Sequence, residues 1–226
     1  MVYKNIFKAK FLSRPNRVIA HIEIDGKEEV AHVKNTGRCR ELLTEGATVF
    51  VQKSDNPGRK TKYDLIGVMK GSRMINMDSQ IPNKVFGEWV TNGGFADNIS
   101  LLKPECRYKN SRFDFYMEAY GRKIYAEIKG VTLEENGIVM FPDAPTERGI
   151  KHIRELCQCV EEGYEAYVFF IIQMQNCKYF TPNRKTHLEF AEALIEAEKK
   201  GVNIRGLNCI VKPDELKIDS PVEIRL

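Results

Sequence analysis

The chain has 226 residues, of which 42% are hydrophobic, so it is long enough for one large domain or two small ones with packed cores. Its net charge of +4 is uneven, because residues 1–80 carry 15 lysines and arginines against 9 acidic residues, which favours a polyanion as the partner of that part. The six cysteines include no Cys-x-x-Cys pair and no segment reaches ~18 apolar residues, so we expect no zinc site, no membrane span and a cytoplasmic protein with free thiols.

The first 80 residues show short alternating segments separated by turn signals, a pattern typical of a small β-barrel. The predicted strands are Lys4–Phe11, Val18–Ile24, Glu28–Val33, Thr48–Gln52 and Asp64–Met69. The Asp25-Gly26 pair predicts a hairpin turn between the second strand and the third. A short helix is predicted at Cys39–Leu43, the place where an OB-fold carries one. We therefore predict an OB-like domain over residues 1–80.

From Asn83 onward, helical and extended patterns alternate, which predicts a second, mixed α/β domain over residues 81–226. The predicted helices are Lys84–Thr91, Thr146–Glu162 and His187–Lys200, and the predicted strands are Glu105–Glu118, Lys123–Val131, Ile138–Phe141, Tyr167–Ile172 and Val202–Val211. Either Asp143 or Thr146 is placed to cap the middle helix. This arrangement predicts helices packed around one sheet.

Two adjoining strands, Ser111–Tyr120 and Lys123–Val131, alternate clearly between apolar and polar residues. One face carries Phe113, Phe115, Met117, Ile124, Ala126 and Ile128, and the other carries Asp114, Tyr116, Glu118, Tyr125, Glu127 and Lys129. A loop of two or four residues around Gly121 sets Asp114 opposite either Glu127 or Lys129. Both registers cluster these three side chains.

Asp114, Glu127 and Lys129 have the chemistry that metal-assisted phosphodiester cleavage needs. Two carboxylates can hold Mg²⁺ or Mn²⁺, which polarises a phosphate and lowers the pKa of a bound water. The ammonium of Lys129 can orient that water and stabilise charge on the phosphate. The alternative is an ordinary solvent-facing strand pair, in which Asp114 and Lys129 form a weak ion pair. Cations lie nearby in the sequence, at Arg107, Lys109, Arg112, Arg148, Lys151 and His152.

Several longer motifs resemble those of the sugar fermentation stimulation protein A family. They are Arg14-Pro15-Asn16-Arg17, Asn35-Thr36-Gly37-Arg38, Arg59–Leu65, Gln80-Ile81-Pro82-Asn83, Ser111–Phe115 and Phe141–His152. The resemblance runs almost end to end. It implies an OB-like barrel, a C-terminal domain of the PD-(D/E)xK nuclease fold, DNA binding and a role in sugar use. The nuclease pattern falls on Asp114, Glu127 and Lys129, with Phe113 in place of the proline that names the fold.

Further residues are candidates for the same site. The nuclease fold often takes another metal ligand from the preceding helix, here Glu88, although a solvated helix residue is the alternative. Arg112, Arg148, Lys151 and His152 are candidates for phosphate contacts, and His152 also for proton transfer or for no role beyond the helix surface. In the barrel, the candidates for binding nucleic acid are Arg14, Arg17, Lys34, Arg38, Lys60 and Lys62, with Tyr63 as a base-stacking ring; a solvated basic rim is the alternative.

Two functions from different classes follow from these observations. One is a Mg²⁺- or Mn²⁺-dependent nuclease acting on DNA, single-stranded or structured, with RNA as a further substrate. The other is a non-catalytic DNA-binding regulator of sugar metabolism genes that retains the nuclease fold. A small-molecule sensor is disfavoured, since the chain has no glycine-rich phosphate loop and no recognisable cofactor motif.

Overall fold

The computed structural model describes residues 1–35 and 37–226, and Thr36 of the Asn35–Arg38 motif lies outside them. The N-terminal part contains β1 (Ile6–Ser13), β2 (Ile19–Ile24), β3 (Lys27–Val33), β4 (Thr48–Lys53), β5 (Tyr63–Lys70) and β6 (Arg73–Asn76). Their order is β3-β2-β1-β4-β5-β6, and β3 also pairs with β5. That pairing closes five strands into a barrel, with β6 added beside β5.

Alternating burial explains why these segments form a barrel. On β2, for example, Ala20, Ile22 and Ile24 point into the core while the residues between them are partly exposed. The β2–β3 hairpin turns at Asp25 and Gly26, whose φ angles are 51° and 76°. Two successive positive φ values are typical of the turn that the Asp-Gly pair predicts.

The predicted helix at Cys39–Leu43 is wrong. The segment forms a single turn, in which the Leu42 and Leu43 amides donate to the Cys39 carbonyl at 3.2 Å and 3.0 Å. Cys39 has a φ of 45°, which is incompatible with a right-handed helix at that residue. A helix this short is also not self-sustaining, since the first turn fixes several residues for one hydrogen bond.

The C-terminal part contains three helices around a six-stranded mixed sheet. Its elements are α1 (Ile81–Thr91), β7 (Ile99–Tyr108), β8 (Ser111–Ala119), β9 (Arg122–Val131), β10 (Leu133–Glu135), β11 (Ile138–Phe141), α2 (Glu147–Glu161), β12 (Glu165–Ile172), β13 (Tyr179–Pro182), α3 (Leu188–Lys199), β14 (Asn203–Lys212) and β15 (Glu215–Val222). The large sheet has the order β15-β14-β12-β9-β8-β7, with β12 parallel to β9 and to β14. Strands β10, β11 and β13 form a small second sheet.

The helices cover both faces of the large sheet. Helix α1 packs on one face, where the Phe86 ring lies 5.1 Å from Phe115 and 4.7 Å from Phe169. Helices α2 and α3 pack on the other face, and α2 is capped by the Thr146 hydroxyl, which accepts a hydrogen bond from the Gly149 amide. The predicted fold class, an OB-like barrel followed by a mixed sheet flanked by helices, is confirmed. Among the described helices, none combines the length and apolar character needed to cross a bilayer.

The predicted single strand Glu105–Glu118 is two strands. A tight turn at Lys109 and Asn110 separates β7 from β8, and Lys109 has a φ of 47°. The turn contains neither glycine nor proline, so Asn110 and Ser111 are the local signs of a break. Four strands, β6, β10, β13 and β15, were not predicted at all.

The predicted core face of β8 is wrong at Phe113. Phe115 packs toward α1, but Phe113 packs toward α2, with its ring 5.5 Å from Tyr125 and 6.1 Å from His152. The alternation breaks at Asp114, whose carboxylate accepts the hydrogen bond of the Ile128 amide. The face of β8 and β9 that was predicted to be polar is therefore covered at Tyr125, whose aromatic ring lies buried beneath α2.

Polar side chains join the barrel to the C-terminal part. Gln173, which follows β12, donates to the Asn76 side chain at 2.9 Å and to the Asp78 carbonyl at 3.0 Å. Glu134 on β10 forms ion pairs with Lys70 at 2.8 Å and with Arg73 at 2.7 Å, and both of these residues lie on the β5–β6 hairpin. Because Gln173, Asn76 and Glu134 are buried, these contacts hold the two parts at a defined orientation.

Candidate metal and nucleic-acid site

Glu127 is the centre of a buried polar cluster on the α2 face of the sheet. Its Oε1 lies 2.5 Å from Lys129 Nζ and 2.6 Å from His152 Nδ1, and the residue is only 3% exposed. Residues 127 and 129 share a face because they are two apart on β9. His152 faces the same point because Ile150 and Ile153 bury this side of α2 against the sheet.

Asp114 lies beside this cluster on the neighbouring strand. The β8–β9 pairing runs from Ala119–Arg122 to Phe115–Ala126, which is the two-residue-loop register of the sequence, and Asp114 is the first residue beyond it. Its Oδ1 accepts from Asn83 at 2.7 Å, and its Oδ2 accepts from the Ile128 amide at 2.7 Å. The structure therefore brings Asp114, Glu127 and Lys129 to one place.

The two carboxylates have pKa values shifted in opposite directions. Burial, and then the charge of Glu127, raises the pKa of Asp114 above its ordinary range. Burial also acts to raise the pKa of Glu127, but the hydrogen bond from His152 and the charge of Lys129 outweigh it and leave that pKa lowered. The Glu127 side chain is thus held in its ionised form. A positive charge beside Asp114 would favour ionisation of that side chain as well.

One carboxylate oxygen of Glu127 has no partner. Nothing among the described residues hydrogen-bonds to its Oε2, although that atom is fully buried. A buried acceptor without a partner is unfavourable, and a hard cation beside it would satisfy it. The described residues contain no group of three or more His, Cys, Asp and Glu side chains arranged to hold an ion. Two carboxylates fit Mg²⁺, which commonly keeps several waters and binds substrate phosphate.

Glu88 does not join this cluster. Its carboxylate lies 2.6 Å from the Met1 amino group, which also donates to the Leu216 carbonyl on β15. Asn83, five residues earlier on α1, faces Asp114, so Glu88 is turned about 140° away from it. The structure therefore assigns Glu88 to the attachment of the N-terminus. Asn83, which positions Asp114, was missed, although it ends the Gln80–Asn83 motif.

A cationic cleft opens beside the buried cluster. It has a volume of about 510 Å³ and is lined by Arg107, Asn110, Ser111, Arg112, Arg148, Lys151 and His152. The ion pair of Arg112 with Glu105 is exposed and weak, and the exposed Lys151 lies 3.8 Å from the carboxylate of the partly buried Glu155. The structure thus brings five of the six candidate residues together, namely Arg107, Arg112, Arg148, Lys151 and His152. Lys109 lies apart from them, paired with Glu162 at 2.5 Å.

His152 forms the wall between this cleft and the carboxylates. The residue is 6% exposed, so the alternative of a histidine on the helix surface does not hold. Its Nδ1 faces Glu127, and its Nε2 lies 3.5 Å from Arg148 Nε on the cleft side. His152 therefore contacts the candidate metal ligand directly and the predicted phosphate ligands on its other edge.

Two of the six predicted barrel cations, Arg14 and Lys34, already bind carbonyl or carboxylate groups of the protein. Arg14 donates to the carbonyls of Arg17, Asn35, Gly37 and Arg38 at 2.6–3.1 Å. It therefore fixes a loop and does not face solvent as a free cation. Lys34 lies between two buried carboxylates, 3.4 Å from Asp64 and 3.5 Å from Asp78.

The other four barrel cations, Arg17, Arg38, Lys60 and Lys62, are exposed. Lys62 lies 3.3 Å from Glu29 in an exposed pair that solvent weakens. The predicted role of Tyr63 as a base-stacking ring does not fit the structure, because the residue is 9% exposed and its ring packs edge-on against Phe7. Arg59 in the same segment binds Asp64 through two hydrogen bonds of 2.8 Å and 2.6 Å.

Comparisons with known proteins cover both parts of the chain. Residues 12–77 match the "SfsA N-terminal OB domain" family, and residues 80–215 match the "Sugar fermentation stimulation protein RE domain" family. Relatives named "Sugar fermentation stimulation protein homolog" include one from Clostridium beijerinckii, 60% identical over all of both chains. Another, from Desulfitobacterium hafniense, is 62% identical and covers 100% of this chain and 99% of its own.

A solved structure is similar over the whole chain. It is described as "The structure of Pyrococcus Furiosus SfsA in complex with Ca2+" and superposes with a TM-score of 0.90 at 29% sequence identity. The match covers 100% of this chain and 98% of the other. The relation between barrel and sheet is therefore shared with that protein.

Proposed function

The chain belongs to the sugar fermentation stimulation protein family, as its motifs predicted, and we propose that this member is a divalent-metal-dependent phosphodiesterase acting on nucleic acid. Asp114, Glu127 and Lys129 carry the chemistry, and Mg²⁺ or Mn²⁺ is the cofactor. The partner is DNA, single-stranded or structured, with RNA as a further substrate. The alternative is a DNA-binding regulator of sugar metabolism genes without turnover.

The unpartnered Oε2 of Glu127 is the observation that carries this proposal. This carboxylate has one oxygen fastened by Lys129 and His152, while the other is buried beside Asp114 and Lys129 and is free to bind an ion. The related Pyrococcus furiosus structure is described as a complex with Ca²⁺. Ca²⁺ shares with Mg²⁺ and Mn²⁺ a preference for oxygen ligands.

The residues have separate tasks in this proposal. Asp114 and Glu127 would hold the ion, which supplies a Lewis acid for the phosphate and a lowered pKa for bound water. Lys129 presents a positive charge beside Glu127, where it can orient the attacking water and stabilise charge that builds on the phosphate oxygens. His152 is a positioning residue, since its hydrogen bond fixes the Glu127 carboxylate.

The cationic cleft provides the phosphate contacts that a nuclease needs. Arg107, Arg112, Arg148 and Lys151 line it, and His152 separates it from Glu127. Arginine and lysine bind the backbone without reading sequence, so this cleft positions a strand next to the cluster. Exposed Arg17, Arg38, Lys60 and Lys62 extend the positive surface over the barrel.

A cleavage assay tests the proposal. Single-stranded, duplex and structured DNA and RNA are incubated with the full chain and Mg²⁺ or Mn²⁺, with chelator and the Asp114→Asn variant as controls. We expect cleavage that requires the ion and is lost in the variant, while nucleic-acid binding remains. If the wild type binds DNA equally well with chelator and cuts none of these substrates, the regulator alternative replaces the nuclease.

A further inference from the structure

A second basic groove lies where the barrel meets the small sheet. It has a volume of about 480 Å³ and is lined by the barrel segment Arg38–Glu41 and, on the other side, by residues Thr181–Thr186. Four exposed cations line it: Arg38, Arg40, Arg184 and Lys185. No ion pair formed within residues 1–35 and 37–226 includes any of these four. None of the four cations is therefore fastened to a carboxylate by an ion pair of the described residues.

Apolar residues also line the second basic groove. Leu133 and Met140 are half-buried, and Pro182, within the Thr181–Thr186 segment, is buried. Three acids, Glu41, Glu135 and Asp143, line the groove as well, and Asp143 Oδ2 accepts a hydrogen bond from the Arg38 amide. The groove thus combines four cations, three acids and the apolar side chains of Leu133 and Met140.

Hydrogen-bonded polar side chains hold both edges in place. On the barrel side, Arg14 donates to the carbonyls of Asn35, Gly37 and Arg38. On the other side, the buried Asn183 donates from its side chain to the Pro142 carbonyl at 3.1 Å, and its amide donates to the Phe141 carbonyl at 2.8 Å. Cations on edges that are already ordered bind a ligand with less loss of entropy.

The second basic groove lies close to the metal cluster. A small junction cavity of about 170 Å³ is lined by Gly130, the residue after Lys129, and shares Leu133, Met140 and Asp143 with the groove. Leu133 follows Lys129 by four positions, so their Cα atoms are at most roughly 13 Å apart. A strand bound at the cluster therefore reaches the groove within a few nucleotides.

We propose that the second basic groove binds a single-stranded segment of nucleic acid that continues from the metal site. This inference rests on the proposed function and adds the strand type and the path of the strand. A single strand can lay its unpaired bases on the half-buried Leu133 and Met140 while its phosphates meet the four cations. A duplex keeps its base faces stacked inside, so it offers phosphates to the cations and nothing to these two apolar side chains.

Binding measurements on the full chain test this inference. Two variants reverse the charge on one edge each, Arg38→Glu with Arg40→Glu and Arg184→Glu with Lys185→Glu. A control reverses the same charge at two exposed lysines outside the groove, Lys27→Glu with Lys217→Glu. A reference variant, Arg148→Glu with Lys151→Glu, alters the first cleft. Affinity for labelled oligonucleotides is measured by fluorescence anisotropy in chelator over a range of salt, and circular dichroism verifies the fold.

We expect each groove variant to bind a long single strand about 10-fold or more weakly than the control variant does. Its log-log salt slope should fall by about 0.7 for each lost phosphate contact. Affinity for blunt duplex, and for an oligonucleotide too short to leave the first cleft, should match that of the control. If the affinity losses of the two groove variants are not additive when the variants are combined, both edges bind the same segment.

Two results would overturn the inference alone. One is groove variants that bind like the control while the first-cleft variant binds weakly. The other is groove variants that weaken duplex and single strand equally, because the groove then acts only through its charge. Wild-type protein with no affinity for any nucleic acid would overturn the proposed function as well.

Discussion

Nδ1 of His152 lies 2.6 Å from Oε1 of Glu127, so a single hydrogen bond joins helix α2 to the candidate metal ligand on β9. The two residues are 25 positions apart in the chain. On its other side, His152 lines the cationic cleft. The carboxylate that would hold the ion is therefore positioned by a residue that also borders the predicted phosphate path.

Removing this hydrogen bond should change the pH dependence of ion binding. In His152→Leu, burial of Glu127 is opposed by Lys129 alone, so the pKa of Glu127 rises. Protonation then competes with the ion at a higher pH, and Mn²⁺ affinity should begin to fall at a higher pH than in the wild type. Paramagnetic resonance titrations with Mn²⁺ across the acidic range measure this. His152→Gln, which keeps a donor, should restore part of the profile, and superimposable curves would contradict the role.

Replacing either carboxylate should abolish ion binding at the cluster. Asp114→Asn and Glu127→Gln keep the shape of each side chain and remove its charge, so Mn²⁺ should no longer bind there in calorimetric titrations. Affinity for DNA in chelator should stay equal or rise, since negative charge near the phosphates is lost. Glu88→Gln is the matched control, because Glu88 binds the Met1 amino group, and it should titrate like the wild type.

Lys129 should affect turnover without affecting the ion. Lys129→Met keeps the stem of the side chain and removes its charge, so Mn²⁺ affinity should change little. The cleavage rate should fall by about 10²-fold or more, the scale of losing one electrostatic stabiliser or proton-transfer group. Single-turnover cleavage under saturating Mn²⁺ measures the rate. A variant that cuts at the wild-type rate would remove Lys129 from the mechanism.

Arg14 should matter for stability more than for binding nucleic acid. Its guanidinium reaches four backbone carbonyls, a geometry that a lysine ammonium cannot reproduce. Arg14→Lys keeps the charge but should lower the free energy of unfolding by about 2–4 kcal/mol, measured by urea denaturation. The salt slope of DNA binding should stay unchanged. The opposite pattern, full stability with a smaller slope, would show that Arg14 contacts phosphate.

Asp64 should contribute stability that acid removes. Burial by itself raises the pKa of Asp64, but the two hydrogen bonds from Arg59 and the charge of Lys34 outweigh it and lower that pKa below 3.8. The unfolded chain therefore takes up the proton first, and stability is lost as the pH falls from about 4 through the lower folded pKa. Asp64→Asn should be less stable at pH 7 and show a flatter decline in that acid window, as measured by thermal unfolding. Parallel curves would contradict this.

Local signals in the sequence predicted much of the architecture. The Asp25-Gly26 turn, the strands of the barrel and helix α2 follow from turn chemistry, alternation and capping, which depend on neighbouring residues only. The proximity of Asp114, Glu127 and Lys129 was also predictable, because pairing through a short hairpin places residues of known spacing side by side. Where a local signal was weak, as at Lys109-Asn110, the prediction merged two strands.

What the sequence determined by itself was the fold class, the family and the hairpin that brings the three candidate catalytic residues together. Tertiary structure alone decided which of the charged residues are available. Arg14, Lys34 and Glu88 resemble free surface charges in the sequence, yet the fold brings carbonyls, carboxylates or the Met1 amino group within 4 Å of each. The physical reason is that a charge is neutralised by whatever lies within a few ångströms in space, and those neighbours come from distant parts of the chain.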